Sequence, residues 1–238
     1  MKKALRILFW SFGGLCVLLV VAQLGLFAYG GRTLVSLATG QLWPWGSFSE
    51  WKQARRGDAD AQYRMGHAFY VLGLRGGDWW GDSQAYKWFS RAAEQKQPQA
   101  LYWLGHMYCS GHHVTRDVAR CTALLRQATA LGNELAEAEL GKMYLWGRHV
   151  PFEPRKALGL YDRAAPRASW AALGAGSILY YGIGVPKDET GALARYLLAR
   201  KEAPLAQRLI RQRWPQLSPE TEAEAQKIAD TLRQKAKP

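Results

Sequence analysis

Histidine and cysteine are the residue types in this chain that could bind a metal ion or supply a nucleophile. The 238 residues include five histidines and three cysteines, Cys16, Cys109 and Cys121. No pair of cysteines has CxxC spacing, and no acidic residue or cysteine completes a ligand set with the histidines at metal-site spacing. The sequence therefore predicts no metal site.

Motifs of the common enzyme classes are missing as well. The sequence holds no nucleophile–base motif, no phosphate-binding loop, no dinucleotide-binding signature and no pair of catalytic carboxylates. Its scattered Asp and Glu residues are typical of solvated helix faces. We therefore predict a protein without catalytic residues and without a cofactor, whose function is binding.

A repeat organises the chain after residue 58. In four places an alanine is followed four positions later by an apolar residue and then directly by glycine. These places are Ala61 with Met65 and Gly66, Ala100 with Leu104 and Gly105, Ala136 with Leu140 and Gly141, and Ala171 with Ala175 and Gly176. The leading alanines are 39, 36 and 35 residues apart, and a further 35 residues leads to Ala206, where Arg211 replaces the glycine. The fifth copy is therefore predicted to be a half-repeat or a cap.

The spacing predicts a pair of helices in each copy. Residues at i, i+4 and i+8 share one helix face, so the alanine, the apolar residue and the large residue that follows form a stripe. Glycine inside a helix costs about 1 kcal/mol relative to alanine, and its recurrence is best explained by close approach of the partner helix. Gly and Pro in the next loop end the first helix and start the second.

These residues resemble the Sel-one-like repeat family, which is related to the tetratricopeptide repeats. The family pattern A-x-x-x-L-G-x-x-Y-x-x-G-x-G-V-x-x-D-x-x-K-A-x-x-W/Y-x-x-A-A is followed most fully by residues 171–199. The resemblance implies an all-α fold, an α/α solenoid with copies near 58–97, 98–133, 134–168 and 169–204. His113 and His149 replace the second loop glycine in copies two and three. That departure concerns the loop geometry and not the fold.

Partial elements flank the four copies. Residues 47–56 have the spacing of a second helix alone, so the solenoid is predicted to span 48–217 and to open with a half-repeat. Ser218, Pro219 and Glu220 have the order of an N-cap, a proline at the first helical position and an acidic first turn. Residues 218–238 are therefore predicted to form a capping helix.

The resemblance to tetratricopeptide architecture implies a concave groove lined by the first helices. Transferred by register, the groove positions are two, six, nine and ten residues after each leading alanine. We call the aromatic and cationic residues there the groove row: Tyr63, His67, Tyr70, Tyr102, His106, Lys142, Trp146, Tyr180 and Tyr181. Such side chains on a rigid face suit capture of a peptide or a helix. The alternative for each residue is packing between repeats.

Two tryptophans, Trp79 and Trp80, fall in a lengthened loop of copy one, residues 74–82. They are predicted either to bury against the edge of the solenoid or to form an exposed contact for a partner or a bilayer.

Cys109 and Cys121 fall near the end of the first helix and the start of the second helix of copy two. An antiparallel hairpin brings these positions close enough for a disulfide, which an oxidising compartment would permit. Cys121 also stands where the other copies have alanine, which explains it without a bond. Both interpretations remain open at the level of sequence.

The N-terminus has the pattern of a membrane anchor. Residues 7–31 carry no charge and are long enough, as a helix, to cross the roughly 30 Å hydrocarbon core. Lys2, Lys3 and Arg6 precede them, so residues 1–6 are predicted to be cytoplasmic and the repeats periplasmic, joined by a linker at 32–47. The alternative is a cleaved signal peptide with Ala28 and Gly30 at the cleavage site.

The charge balance narrows the class of partner. Lys and Arg number 32 against 19 Asp and Glu, which favours anionic partners or anionic lipid. No nucleic-acid module is present, so we expect no nucleic-acid partner. The sequence thus predicts a single-pass inner-membrane scaffold or adaptor that binds other envelope proteins or peptides. The alternatives are an envelope glycan-binding factor or enzyme accessory protein, and a cytosol-facing adaptor of inverted topology.

Overall fold

A computed structural model of the chain describes residues 48–76 and 79–235. The predicted cytoplasmic N-terminus, transmembrane helix and linker, residues 1–47, lie outside the described residues. Among the helices that are described, none is both long enough and apolar enough to span a bilayer.

Helices joined by short loops make up the described residues. In chain order they are α1 Phe48–Arg55, α2 Ala59–Gly76, α3 Trp79–Glu94, α4 Pro98–Ser110, α5 Val118–Ala130, α6 Glu134–Trp146, α7 Pro154–Ala164, α8 Ser169–Tyr181, α9 Glu189–Ala199, α10 Pro204–Arg213 and α11 Pro219–Lys235. The first helices of the four copies are α2, α4, α6 and α8, and the second helices are α3, α5, α7 and α9. This arrangement confirms the predicted all-α solenoid of helix pairs.

Close approach of the two helices explains the repeated glycine. A Cβ added to Gly141 of α6 would lie 2.9 Å from Cδ1 of Tyr161 in α7, and one added to Gly176 of α8 would lie 2.7 Å from Cε1 of Tyr196 in α9. Gly66 of α2 faces Phe89 of α3 in the same way. A ring from the second helix therefore occupies the space over each of these three glycines.

Small residues form the centre of the core. The leading alanines are fully buried, and so are the small residues early in each second helix. These residues are Ala61, Ala100, Ala136, Ala171 and Ala206, with Ala85, Cys121, Ala157 and Ala192. Larger side chains at these positions would separate the helices, because interiors are packed without spare volume.

The loops of copies two and three keep the geometry of copy four despite their histidines. His113 and His149 have φ angles of 64° and 65°, and Gly184 in the equivalent position has 64°. The left-handed conformation is thus retained at a cost of about 1 kcal/mol for each histidine.

The connection between α2 and α3 differs from the prediction. The loop predicted at 74–82 is wrong, because α2 continues to Gly76 and α3 begins at Trp79. Gly81 explains the extension, since a Cβ there would lie 3.0 Å from the backbone nitrogen of Gly73. The two backbones therefore touch, and both helices run on beyond the contact. Trp79 and Trp80 are helical residues and not loop residues.

Helices also flank the four copies. The first, α1, packs on α2, and at the other end α11 packs on α9, where Ala225 and Ala229 are buried beside Leu193 and Leu197. The hydroxyl of Ser218 accepts a hydrogen bond from the amide of Thr221 at 3.2 Å, as an N-cap does. The solenoid thus ends on a helix whose apolar stripe faces the last complete copy.

Candidate protein-binding surface

The groove row lies on the first helices α2, α4, α6 and α8, and its exposure changes along the chain. Tyr70 and Tyr102 are buried, with exposed fractions of 5% and 8%. Lys142, Trp146 and Tyr181 are exposed. The remaining members, Tyr63, His67, His106 and Tyr180, are half-buried. The row therefore divides into a packed N-terminal half and an open C-terminal half.

Trp103 is the centre of the packed half, although it lies outside the predicted groove positions. Its ring centroid lies 4.8 Å from that of Tyr70, 5.4 Å from His67, 5.3 Å from Tyr102 and 5.8 Å from His106. These rings join α2 to α4. The N-terminal half of the row thus holds copies one and two together.

Burial also favours the neutral forms of two members of this half, Tyr102 and His106. Burial raises the pKa of Tyr102 to about 12, with a smaller contribution from the carboxylate of Glu139. Burial lowers the pKa of His106, an effect that Lys142 and His112 strengthen and Glu139 opposes. Both shifts favour the neutral form of the side chain. A neutral aromatic cluster suits helix packing better than recognition of an ion.

A polar pair closes this cluster at the loop end. Nε2 of His112 lies 2.9 Å from Oδ1 of Asp82, which is itself buried at the start of α3. The ring of His112 also stands edge-on to Tyr70, with centroids 5.7 Å apart. The loop of copy two is thereby attached to copy one. No pattern in the sequence predicts this pair, because 30 residues separate its members.

The open half carries aromatic and cationic side chains on α6 and α8. We call Lys142, Trp146, Trp170 and Tyr181 the exposed quartet. Trp146 and Tyr181 expose 66% and 64% of their surface, and Trp170 exposes 37%. Lys142 lies one turn before Trp146, and its Nζ is 5.8 Å from the ring centroid of Trp170. Trp170 and Tyr181 are three turns apart on α8 and therefore share one face of that helix. The contact of Lys142 with Trp170 joins this face to the face of α6 that carries Lys142 and Trp146.

Lys142 is only partly available for a partner. Its Nζ lies 2.5 Å from a carboxylate oxygen of Glu139 on the same helix. The quartet therefore presents a broad aromatic surface with a cation that is already paired. Such a surface suits an apolar or amphipathic segment.

Tyr180, the remaining member of the row on α8, is occupied within the chain. The guanidinium of Arg213 lies 4.1 Å from its ring centroid, and Trp214 stands edge-on to it at 5.5 Å. Arg213 also donates hydrogen bonds to the hydroxyls of Tyr181, at 3.0 Å, and of Tyr196. These contacts attach the end of α10 to α8 and α9. The role of Arg213 could not be predicted from the sequence, since one Arg among many carries no distinctive signal.

The cysteines of copy two are joined. Cys109 and Cys121 form a disulfide between α4 and α5, with Cα atoms 5.3 Å apart. Cys121 is also fully buried in the slot that alanine fills in other copies, so the slot accounts for its small size, while the structure has the bond that the alternative interpretation left out. Within residues 48–76 and 79–235, no group of three or more His, Cys, Asp or Glu side chains is arranged to hold a metal ion.

Comparison with known proteins identifies the fold family. The model of the Sel1 repeat matches residues 59–96, 98–133, 135–165 and 171–200, which is more than half of the chain. No curated protein matches the chain at a significant level.

Solved structures are similar to this chain too. A Sel1 repeat protein from Oxalobacter formigenes is 26% identical with a TM-score of 0.62, over 74% of this chain and 73% of that one. A protective antigen of uropathogenic Escherichia coli with this fold is 21% identical (TM-score 0.47), over 79% of this chain and 48% of that one. A putative Sel1 repeat protein from Klebsiella pneumoniae is 20% identical (TM-score 0.49), over 79% and 96%. The matched repeats and their helix pairs show that the chain belongs to the Sel1 repeat family, whose members are generally non-catalytic scaffolds for protein–protein interaction.

Proposed function

We propose that this chain is a membrane-anchored scaffold of the cell envelope that holds a partner protein or peptide on the exposed quartet. The observation that carries the proposal is the exposure of Trp146 and Tyr181 at equivalent positions of neighbouring copies. Large aromatic side chains contribute most to binding when a partner covers them. Two of them at the spacing of one repeat suit an elongated apolar segment that crosses α6 and α8.

The N-terminus and the cysteines support a site of action on the periplasmic side of the membrane. The uncharged residues 7–31 act as a single transmembrane helix, with Lys2, Lys3 and Arg6 retained in the cytoplasm. The repeats then lie in the periplasm. The disulfide between Cys109 and Cys121 supports this side of the membrane, because disulfides persist in oxidising compartments.

A reporter fusion tests the topology. Alkaline phosphatase fused after Pro238 is expected to be active, since the enzyme folds only after translocation, and a fluorescent protein that folds only in the cytosol should stay dark there. The opposite pair of results would instead support a cytosol-facing adaptor.

Substitutions on the quartet test the binding surface. Trp146→Ala and Tyr181→Ala are expected to weaken partner capture from solubilised membranes by about tenfold or more each, the effect of losing a binding hot spot. Leu131→Ala is the matched control, because Leu131 is a large apolar residue exposed in the loop after α5. Equal capture by all three variants would contradict the proposal, and capture of a glycan in place of a protein would support the glycan-binding alternative.

Tyr102 is not a suitable test of binding. It belongs to the predicted groove row, but its side chain is buried beside Trp103 and His106. Tyr102→Ala is therefore expected to lower the free energy of unfolding by about 3 kcal/mol, as loss of a buried aromatic ring does.

A further inference from the structure

A cleft opens between copies two and three, lined by the second helices α5 and α7 and by one face of the first helix α6. We call it the α5–α7 cleft. It has a volume of about 470 Å³, and its lining consists of Arg126, Thr129, Leu140, Tyr144, Lys156, Gly159, Leu160 and Arg163. Small-molecule sites have volumes of this order. None of these residues belongs to the groove row, because Leu140 and Tyr144 lie on α6 at four and eight residues after the leading alanine, outside the groove positions.

Gly159 is the first sign that the cleft is more than a packing gap. It stands in the middle of α7, where glycine lowers helix stability by about 1 kcal/mol relative to alanine. The glycines of the repeat pattern are explained by a ring that packs over them, but no atom lies within 4 Å of a Cβ added to Gly159. Copies two and four have Ala123 and Ala194 at this position. No helix contact requires this glycine, and it leaves the wall of the cleft open.

Cations surround the opening, and they are not all neutralised. Nε of Arg163 lies 2.7 Å from Oε1 of Glu137, and Nζ of Lys156 lies 3.7 Å from Oε2 of Glu153. No carboxylate in the part of the chain that the structure describes forms an ion pair with Arg126. The cleft therefore has an excess of one positive charge, which suits a monoanion.

Two hydroxyls complete the polar part of the cleft. The ring of Tyr144 lies 4.1 Å from Nζ of Lys156, and hydrogen bonding from Lys156, reinforced by Arg126, lowers the pKa of the Tyr144 hydroxyl. Lys156 and Arg126 therefore both lie near this hydroxyl, and their effect on its pKa outweighs the opposing effect of burial. The hydroxyl oxygen of Thr129 is buried and has no hydrogen-bond partner among residues 48–76 and 79–235. A buried polar atom without a partner is unusual and indicates a missing one.

The remaining lining is apolar. Leu140 and Leu160 are buried with exposed fractions of 2% and 6%, and the ring of Tyr144 lines the cleft as well. A ligand that fits would place an anionic group at Arg126 and an apolar group over Gly159.

We propose that the α5–α7 cleft binds a carboxylate carried on an apolar group, with Arg126 as the cation that pairs with it. An arginine fork matches the two oxygens of a carboxylate, and the open wall at Gly159 admits the apolar part. Free apolar acids and the C-terminal residue of a peptide share this chemistry.

Titration of the full-length chain in nanodiscs of zwitterionic lipid tests the proposal. The probes are 3-phenylpropanoate and its neutral analogue 3-phenylpropanamide, followed by ligand-detected saturation-transfer NMR. The acid is expected to bind at least about tenfold more tightly than the amide, because only the acid pairs with Arg126. Equal signals for the two probes, or no signal for the acid, would overturn the proposal.

A second titration, with a peptide, distinguishes free apolar acids from peptide C-termini as the ligand. The N-acetylated peptide Gly-Gly-Gly-Leu is compared as free acid and as C-terminal amide. If its free acid binds about tenfold more tightly than 3-phenylpropanoate, the cleft takes chain termini, and otherwise it takes free acids.

Variants separate binding from folding. Arg126→Gln is expected to weaken binding of the acid about tenfold, whereas Arg155→Gln, an exposed arginine of α7 outside the cleft, leaves it unchanged. Gly159→Leu fills the cleft and improves helix propensity, so it is expected to abolish binding while raising the midpoint of thermal unfolding. Retention of binding by Gly159→Leu or by Arg126→Gln would contradict the site.

Discussion

Glycine occupies two different kinds of position in these helices, and the residues around it tell them apart. Gly176 packs beneath the ring of Tyr196, whereas Gly159 faces open space. The sequence predicts the role of the first kind because the glycine recurs in register. It predicts nothing about Gly159, since a single glycine in one copy carries no pattern. A glycine that packs against a neighbouring helix can therefore be predicted from the sequence when it recurs in register.

Alanine at the two glycines should have opposite effects. Gly176→Ala is expected to lower the free energy of unfolding by about 1–3 kcal/mol, because its Cβ would press against the buried Tyr196 ring. Gly159→Ala, the matched control, should raise it by up to about 1 kcal/mol through helix propensity alone. Urea unfolding followed by circular dichroism measures both. The assignment of these glycines would be wrong if the two variants changed stability in the same direction.

His106 gives the packed half of the groove row a dependence on pH. Burial lowers its pKa, so the folded state favours the neutral ring and the unfolded chain binds a proton first. Its contribution to stability is present above the unfolded pKa of about 6.5 and is lost as pH falls below that value.

His106→Gln should remove this dependence. Thermal unfolding measured from about pH 7.5 to pH 5 is expected to show a smaller loss of stability for the variant than for the native chain, because glutamine does not titrate. Parallel curves for the two proteins would show that His106 is solvated and not packed against Trp103.

At the scale of elements, the sequence predicts helix pairs well and the contacts between copies poorly. The glycine slots and the small-residue slots reappear as close helix contacts, because both arise from the local spacing of each hairpin. The pair of Arg195 with Asp162, at 2.8 Å and 3.0 Å between α9 and α7, left no trace in the pattern. Its members are 33 residues apart, and many pairings at that distance are sterically possible.

The error at copy one has a different cause, because it falls within one helix pair. The Gly-rich residues 74–82 have the composition of a loop, but the backbone contact of Gly73 with Gly81 extends both helices through them. Composition alone does not distinguish a glycine that breaks a helix from one that lets two helices touch.

The disulfide should stabilise the hairpin of α4 and α5 in copy two. Cys109 and Cys121 are separated by 12 residues, and closing a loop of this size in the unfolded chain is worth about 3 kcal/mol. Cys109→Ala is expected to lower the free energy of unfolding by that amount and to abolish the effect of a reductant on unfolding. Cys16→Ser is the control and should remain sensitive to the reductant. Equal stability of the native chain with and without reductant would exclude a contribution from the bond.

At the scale of the molecule, the solenoid uses its repeated positions unequally. At position six, His67 and His106 pack around Trp103 in copies one and two, whereas Lys142 is exposed in copy three. At position ten, Trp146 and Tyr181 are exposed in copies three and four. Register alone could not predict this division, because it depends on the side chains of neighbouring helices and above all on Trp103. The surface left for a partner is therefore the half farther along the chain from residues 7–31.

Photo-crosslinking in intact membranes tests most directly whether a partner protein binds at Trp146 and Tyr181. The crosslinking residue p-benzoylphenylalanine is placed at Trp146, at Tyr181 and, as a control, at Leu131, and the adducts are identified by mass spectrometry. If a partner covers the exposed quartet, the same discrete protein adduct is expected from positions 146 and 181 and is absent from position 131. The absence of an adduct from positions 146 and 181, or the same adducts from all three positions, would contradict binding at this surface.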